Sequence, residues 1–171
     1  MDKFKMILCY TLAFIALLFI QIYVIDIKNL FGAKPDILLV AVIVFSLWND
    51  IKVSSIYALM SGVFLDLIYH NEFGIFTLGF TLISVLIGYI NSNYRKDSKS
   101  SIIYITFLGT AIFELYKFIV HIVTLKTSIP IIFLIVQIIL ASILNMALSF
   151  ILYNVFMKVN LLSKKNDEYM L

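Results

Sequence analysis

Apolar residues run along this chain in long stretches broken by short polar clusters. Six such stretches stand out: 6–25, 35–48, 53–69, 73–90, 102–124 and 129–157. They do not alternate apolar and polar positions as the roughly ten-residue strands of a membrane barrel do. Small or polar residues recur inside them at every third or fourth position. The third stretch has Ser54, Ala58, Gly62 and Asp66, and the fourth has Thr77, Thr81, Ser84 and Gly88. The fifth has Thr106, Thr110, Glu114, Lys117 and His121, and the sixth has Gln137, Ala141, Asn145 and Ser149. This is the period of one helix face, so the pattern predicts helices whose small and polar stripes turn toward other helices. A small-residue stripe lets a neighbouring helix approach closely.

A helix needs about 20 apolar residues to cross a bilayer. The stretch 35–48 has 14, which fits a short, tilted or partly inserted helix. Pro35 suits the first turn of that helix, and Asp36 suits its positive end. The stretch 129–157 is long enough to emerge from the membrane before Lys158.

Composition decides the solvent. The chain of 171 residues is 63% hydrophobic and 13% charged, with a mean hydropathy of +1.05. Soluble domains are about half apolar and about a quarter charged. The medium is therefore lipid, where every backbone N–H and C=O needs an internal partner. The expected fold is all-α: a polytopic membrane bundle of six transmembrane helices forming one integral domain over 1–171. The connections 26–34 and 91–101 and the tail from Lys158 are too short for a further domain. The first stretch follows Lys3 and Lys5 like a secretory signal. It is too long for one and lacks a small-x-small cleavage site, so it reads as a retained span. The single cysteine, Cys9, rules out an intramolecular disulfide and reads as an inert buried thiol.

A net charge of +3 gives no reason to expect nucleic acid. Its distribution is more telling. With six spans, one side holds nine basic residues: Lys3, Lys5, Lys52, Arg95, Lys96, Lys99, Lys158, Lys164 and Lys165. The other side holds three, Lys28, Lys34 and Lys126, and Lys117 falls inside a span. The positive-inside rule then puts both termini in the cytoplasm.

Charges at membrane depth usually have partners. Asp66 lies roughly 21 Å along its helix from Lys52, and Lys117 roughly 22 Å along its own from Ile102, at 1.5 Å per residue. Matched depth predicts that Asp66 and Lys117 are satisfied by one another or by Glu114, which is one turn from Lys117. No nucleophile elbow, HExxH, glycine-rich phosphate loop or paired-histidine spacing occurs. Neither Ser84 nor Ser149 has a sequence context that makes a dyad with His121. No enzyme activity, metal or cofactor is expected.

One resemblance spans residues 34–95. Lys34-Pro35-Asp36-Ile37-Leu38-Leu39-Val40 is followed by Ser61-Gly62-Val63-Phe64-Leu65-Asp66-Leu67, then Phe73-Gly74-Ile75-Phe76-Thr77-Leu78, then Ile87-Gly88-Tyr89-Ile90. A proline before an apolar span, a Gly-x-x-x-Asp, a glycine soon after and a Gly-Tyr at the end of the next span resemble the MreD family of rod shape-determining membrane proteins. The chain departs from the family's frequent Gly-Leu before the aspartate. The resemblance implies a non-enzymatic scaffold in the bacterial cytoplasmic membrane, part of the cell-elongation complex. It would bind an MreC-like protein and, through it, MreB, RodA and a class B penicillin-binding protein. It singles out Pro35, Asp36, Gly62, Asp66, Gly74 and Gly88, beside Glu114 and Lys117, as helix-packing or partner-binding residues. It also implies a fold similar to the substrate-binding subunits of energy-coupling-factor vitamin transporters. Such a subunit is the alternative function. Span one offers only Ala13 and Ala16 where that alternative needs a small-residue docking stripe.

Overall fold

The computed structural model describes residues 14–25, 33–69, 74–91, 99–125 and 130–168. Cys9, Phe73 and the basic residues Lys3, Lys5, Lys28, Arg95, Lys96 and Lys126 lie outside them. The described chain is a bundle of six helices. The first, α1 (14–20), passes into a π-helical turn, Gln21–Ile25. It is followed by α2 (Ile37–Trp48), α3 (Ile51–Tyr69), α4 (Ile75–Asn91), α5 (Lys99–Leu125) and α6 (Ile131–Glu168).

The shortest full helix sits at the centre. Every residue of α2 from Ile37 to Leu47 is buried, and α2 packs against α3, α4, α5 and α6. A helix apolar all round has no face to offer water, so it belongs in a core or in lipid. Here it fills a protein core. Its neighbours turn small residues toward the interior: Ser54, Ala58 and Ser61 from α3, Ser84 from α4, Ala141 and Ser142 from α6. Phe14 and Leu18 of α1 join the same apolar cluster, and Phe14 meets the rings of Tyr57 and Phe64 on α3.

Length separates the helices further. Ile51–Tyr69, Ser101–Thr124 and Ile131–Val155 are each long and apolar enough to cross a membrane, whereas Phe14–Tyr23, Ile37–Trp48 and Ile75–Ile90 are shorter. Twelve residues give α2 about 18 Å against a hydrocarbon core of about 30 Å. Its ends therefore lie within the bundle and must find hydrogen-bond partners in protein. The outward faces of α3 to α6 carry large apolar side chains such as Ile56, Leu82, Leu108 and Ile143, all more than half exposed. In a bilayer those faces meet acyl chains.

Pro35 precedes this core helix and is not in its first turn. The N-cap is Asp36, whose backbone is extended and whose side chain accepts from Leu39 N. A cap aspartate takes up a first-turn amide that a proline could not.

Candidate functional site

Three polar junctions stand out among the described residues. The first joins α3 to α4. Asp66, 2% exposed, sits near the end of α3 and accepts from the amides of Phe76 and Thr77, each at 3.0 Å. The Thr77 hydroxyl donates a third, short bond to the same carboxylate. These amides belong to the first turn of α4, where helix donors lack intrahelical partners and the helix dipole favours an anion. The carboxylate thus caps a neighbouring helix. Gly62, one turn earlier, makes the approach possible. A Cβ there would lie 2.4 Å from Thr77 Cα and 2.7 Å from the Phe76 carbonyl carbon, so no larger residue fits without separating the backbones. Gly74 starts α4 with φ +103°, a left-handed conformation that side chains disfavour, and its carbonyl accepts from Leu78 N at 2.9 Å. Gly88, at the far end of α4, meets Ile51, whose Cγ1 would be 2.3 Å from an added Cβ.

The second junction surrounds the start of α2. Asp36 Oδ1 accepts from Leu39 N at 3.0 Å. Gln21 of the π turn accepts from Ile37 N at 2.9 Å. Asn145 of α6 accepts from Asp36 N at 2.8 Å and donates to Thr110 Oγ1 of α5 at 3.2 Å. Side chains from three other helices thereby satisfy or brace the donors of a helix end that water cannot reach. At the other end of α2, Ser46 and Ser84 of α4 share a hydrogen bond at 2.9 Å.

The third junction lies between α5 and α6. Lys117 Nζ donates to Glu114 Oε1 at 2.5 Å and stands 4.9 Å from the Phe113 ring centre. Lys117 is thus satisfied by Glu114 and not by Asp66. Depth alone cannot pair charges: Asp66 is turned toward α4's first turn, whereas an i, i+3 spacing puts Lys117 beside Glu114 on its own helix. Glu114, Lys117, Phe118, His121, Leu134 and Gln137 line a cavity of about 210 Å³. Among the described residues no group of three His, Cys, Asp or Glu side chains could hold a metal ion.

The structure brings Gly62, Asp66 and Gly74 into one junction and Glu114 and Lys117 into another, with Asp36 in the third and Gly88 and Pro35 outside them. Gln21 and Ser46 are functional in this packing sense, yet no stripe in the sequence marks them. The signal for Gln21 is that a lone amide in an apolar run needs a partner.

These junctions fix helices to one another. The fold and its junctions define a polytopic integral membrane protein held together by buried caps and helix contacts. The family model described as rod shape-determining protein MreD matches residues 1–161 of the 171. The chain belongs to the MreD family, and a role in determining rod shape follows from that membership. Comparison with curated proteins and with solved structures finds no match.

Proposed function

We propose that this protein is a non-enzymatic scaffold of the elongation complex in the bacterial cytoplasmic membrane. It binds an MreC-like protein, and through that partner it is connected to MreB, RodA and a class B penicillin-binding protein during peptidoglycan synthesis. The observation that carries this reading is membership of the MreD family over residues 1–161. The junctions at Asp66 and Asp36 support it, since they hold helices in a fixed arrangement. Six crossings with both termini cytoplasmic are supported by nine basic residues on one side against three on the other. The short α2 and α4 then cross beside their longer neighbours where the bilayer is locally thinned.

Depletion of the protein is expected to round and widen cells, and affinity capture of the tagged chain is expected to bring down an MreC-like protein. Rods of normal width that lose uptake of a vitamin would overturn the scaffold in favour of a transporter's substrate-binding subunit. Reporter fusions at Leu171 and within 91–101 are both expected to read cytoplasmic. An external reading at either one removes the six-span topology.

A further inference from the structure

The α5 and α6 helices close on each other along only half their contact. Thr106, Thr110, Ala141, Ser142, Asn145 and Ser149 are all buried there. Toward the 126–129 connection the pair opens: no residue of 131–140 is buried, and the cavity of about 210 Å³ lies in the opening. Its α5 wall is polar. Glu114 is 6% exposed and the Lys117 side chain 31%. Lys117 has three donors and gives one to Glu114. Acyl chains supply no acceptor for the others, and ionisable groups at membrane depth are retained where they have partners.

Depth and shape narrow the occupant. Lys117 and His121 precede the end of α5 at Leu125 by roughly 12 and 6 Å of helix rise. With α5 about 40 Å long against a core of about 30 Å, His121 lies at the edge of the hydrocarbon and Lys117 one turn deeper, within reach of lipid phosphates. The lining is amphiphilic, with Lys117, His121 and Gln137 beside Phe118 and Leu134. A further transmembrane helix fits poorly. Close helix approach in lipid uses Gly, Ala, Ser or Thr, and 131–140 contains only Ile, Phe, Leu, Val and Gln. At about 210 Å³ the opening suits a head group better than a helix face.

We propose that this opening binds one phospholipid by its phosphate. Lys117, His121 and Gln137 donate to the phosphate oxygens, Glu114 fixes Lys117 in place, and the acyl chains lie along the bulky 131–140 face of α6. The test is titration of the purified full chain in detergent with dioleoylphosphatidylglycerol, read by native mass spectrometry. A saturable one-to-one adduct is expected, and neither dioleoylglycerol nor inorganic phosphate is expected to give one. His121→Ala and Gln137→Leu leave the ion pair intact, and each is expected to weaken binding roughly tenfold. Glu114→Gln keeps the cation and is expected to retain the adduct. Equal binding of dioleoylglycerol, binding of inorganic phosphate alone, or undiminished adducts in both single variants would each overturn the proposal. So would a stoichiometric protein, in place of lipid, captured by a photo-crosslinker at position 121 in cells.

Discussion

At Gly62 the backbones of α3 and α4 meet with no room for a methyl group, and the anion beside that contact is held by two amides and a hydroxyl of the facing helix. The α5 and α6 pair is joined differently. It relies on side chain meeting side chain, as in Asn145 to Thr110, and it leaves the hydroxyls of Thr106 and Ser142 without protein partners. Its charges neutralise each other on one helix. A buried charge can thus be accommodated by a helix end or by a counter-charge, and the two solutions differ in tolerance. The first demands one backbone geometry, because the amides cannot move independently of α4. The second rests on flexible side chains and permits an open cavity beside it. The α3–α4 pair is therefore the frame of the molecule, and the α5–α6 opening is the part free to accept something else.

The sharpest way to break that contrast is Gly62→Leu. Its side chain would have to occupy the space of the Thr77 backbone. The expected result is near-complete loss of monodisperse protein after detergent extraction, beyond the ~1–3 kcal/mol of ordinary overpacking. Val63→Leu, on a half-buried neighbouring position, is expected to extract like the parent. Equal yields for the two would show that the close contact does not govern stability.

Asp66→Asn comes next. An asparagine can accept one of the α4 amide bonds but turns an N–H donor toward the others, leaving a buried donor unsatisfied at about 1–3 kcal/mol. Loss of the charge at the helix N-terminus adds about 0.3–1 kcal/mol. Thr77→Val removes only the hydroxyl bond and is expected to cost about 1 kcal/mol. Denaturation in mixed micelles checks the order: a Thr77 variant as damaged as the Asp66 variant would mean that the amides are not the main partners.

Asn145→Ala probes the looser pair. It strips the acceptor from Asp36 N and the donor to Thr110, leaving a buried amide at the start of α2 unpaired. A loss of about 1–3 kcal/mol is expected, smaller than that of Gly62→Leu because truncation forces no backbones apart. Gln21→Leu is expected to act in the same direction through Ile37 N. No change in either variant would mean that the α2 end finds other partners.

How far these junctions could be read from the sequence differs for physical reasons. The stripe Ser54, Ala58, Gly62, Asp66 is legible because lipid leaves only small and polar residues to mark an inward face, and all four are buried. The central position of α2 is not legible. A helix apolar all round looks the same whether acyl chains or protein surround it, and only its 12 residues hint that it stops short. The partner of Asp66 is hidden for another reason. Counting residues along a helix gives height but not direction around the axis, so two charges at one depth look paired even when their helices face apart. An i, i+3 pair such as Glu114 and Lys117 needs no such information and is visible in the spacing itself.

That distinction yields the smallest expected effect. If Asp66 and Lys117 share no contact, their substitutions act independently, and distant sites add to within about 0.3–0.5 kcal/mol. Asp66→Asn combined with Lys117→Met is therefore expected to lose the sum of the two single losses. Glu114→Gln combined with Lys117→Met is expected to behave otherwise. Lys117→Met alone strands a carboxylate that is 6% exposed, and neutralising it removes the stranded charge, so the double variant recovers part of the loss. The recovery is limited because Lys117 keeps 31% of its side-chain surface open and its interaction is correspondingly screened. The two cycles, measured in the same micelles, separate the two kinds of junction. Recovery in the Asp66–Lys117 cycle would mean that the carboxylate of α3 senses the cation of α5 despite its three bonds to α4. Strict additivity in the Glu114–Lys117 cycle would mean that the short contact within α5 contributes nothing to stability.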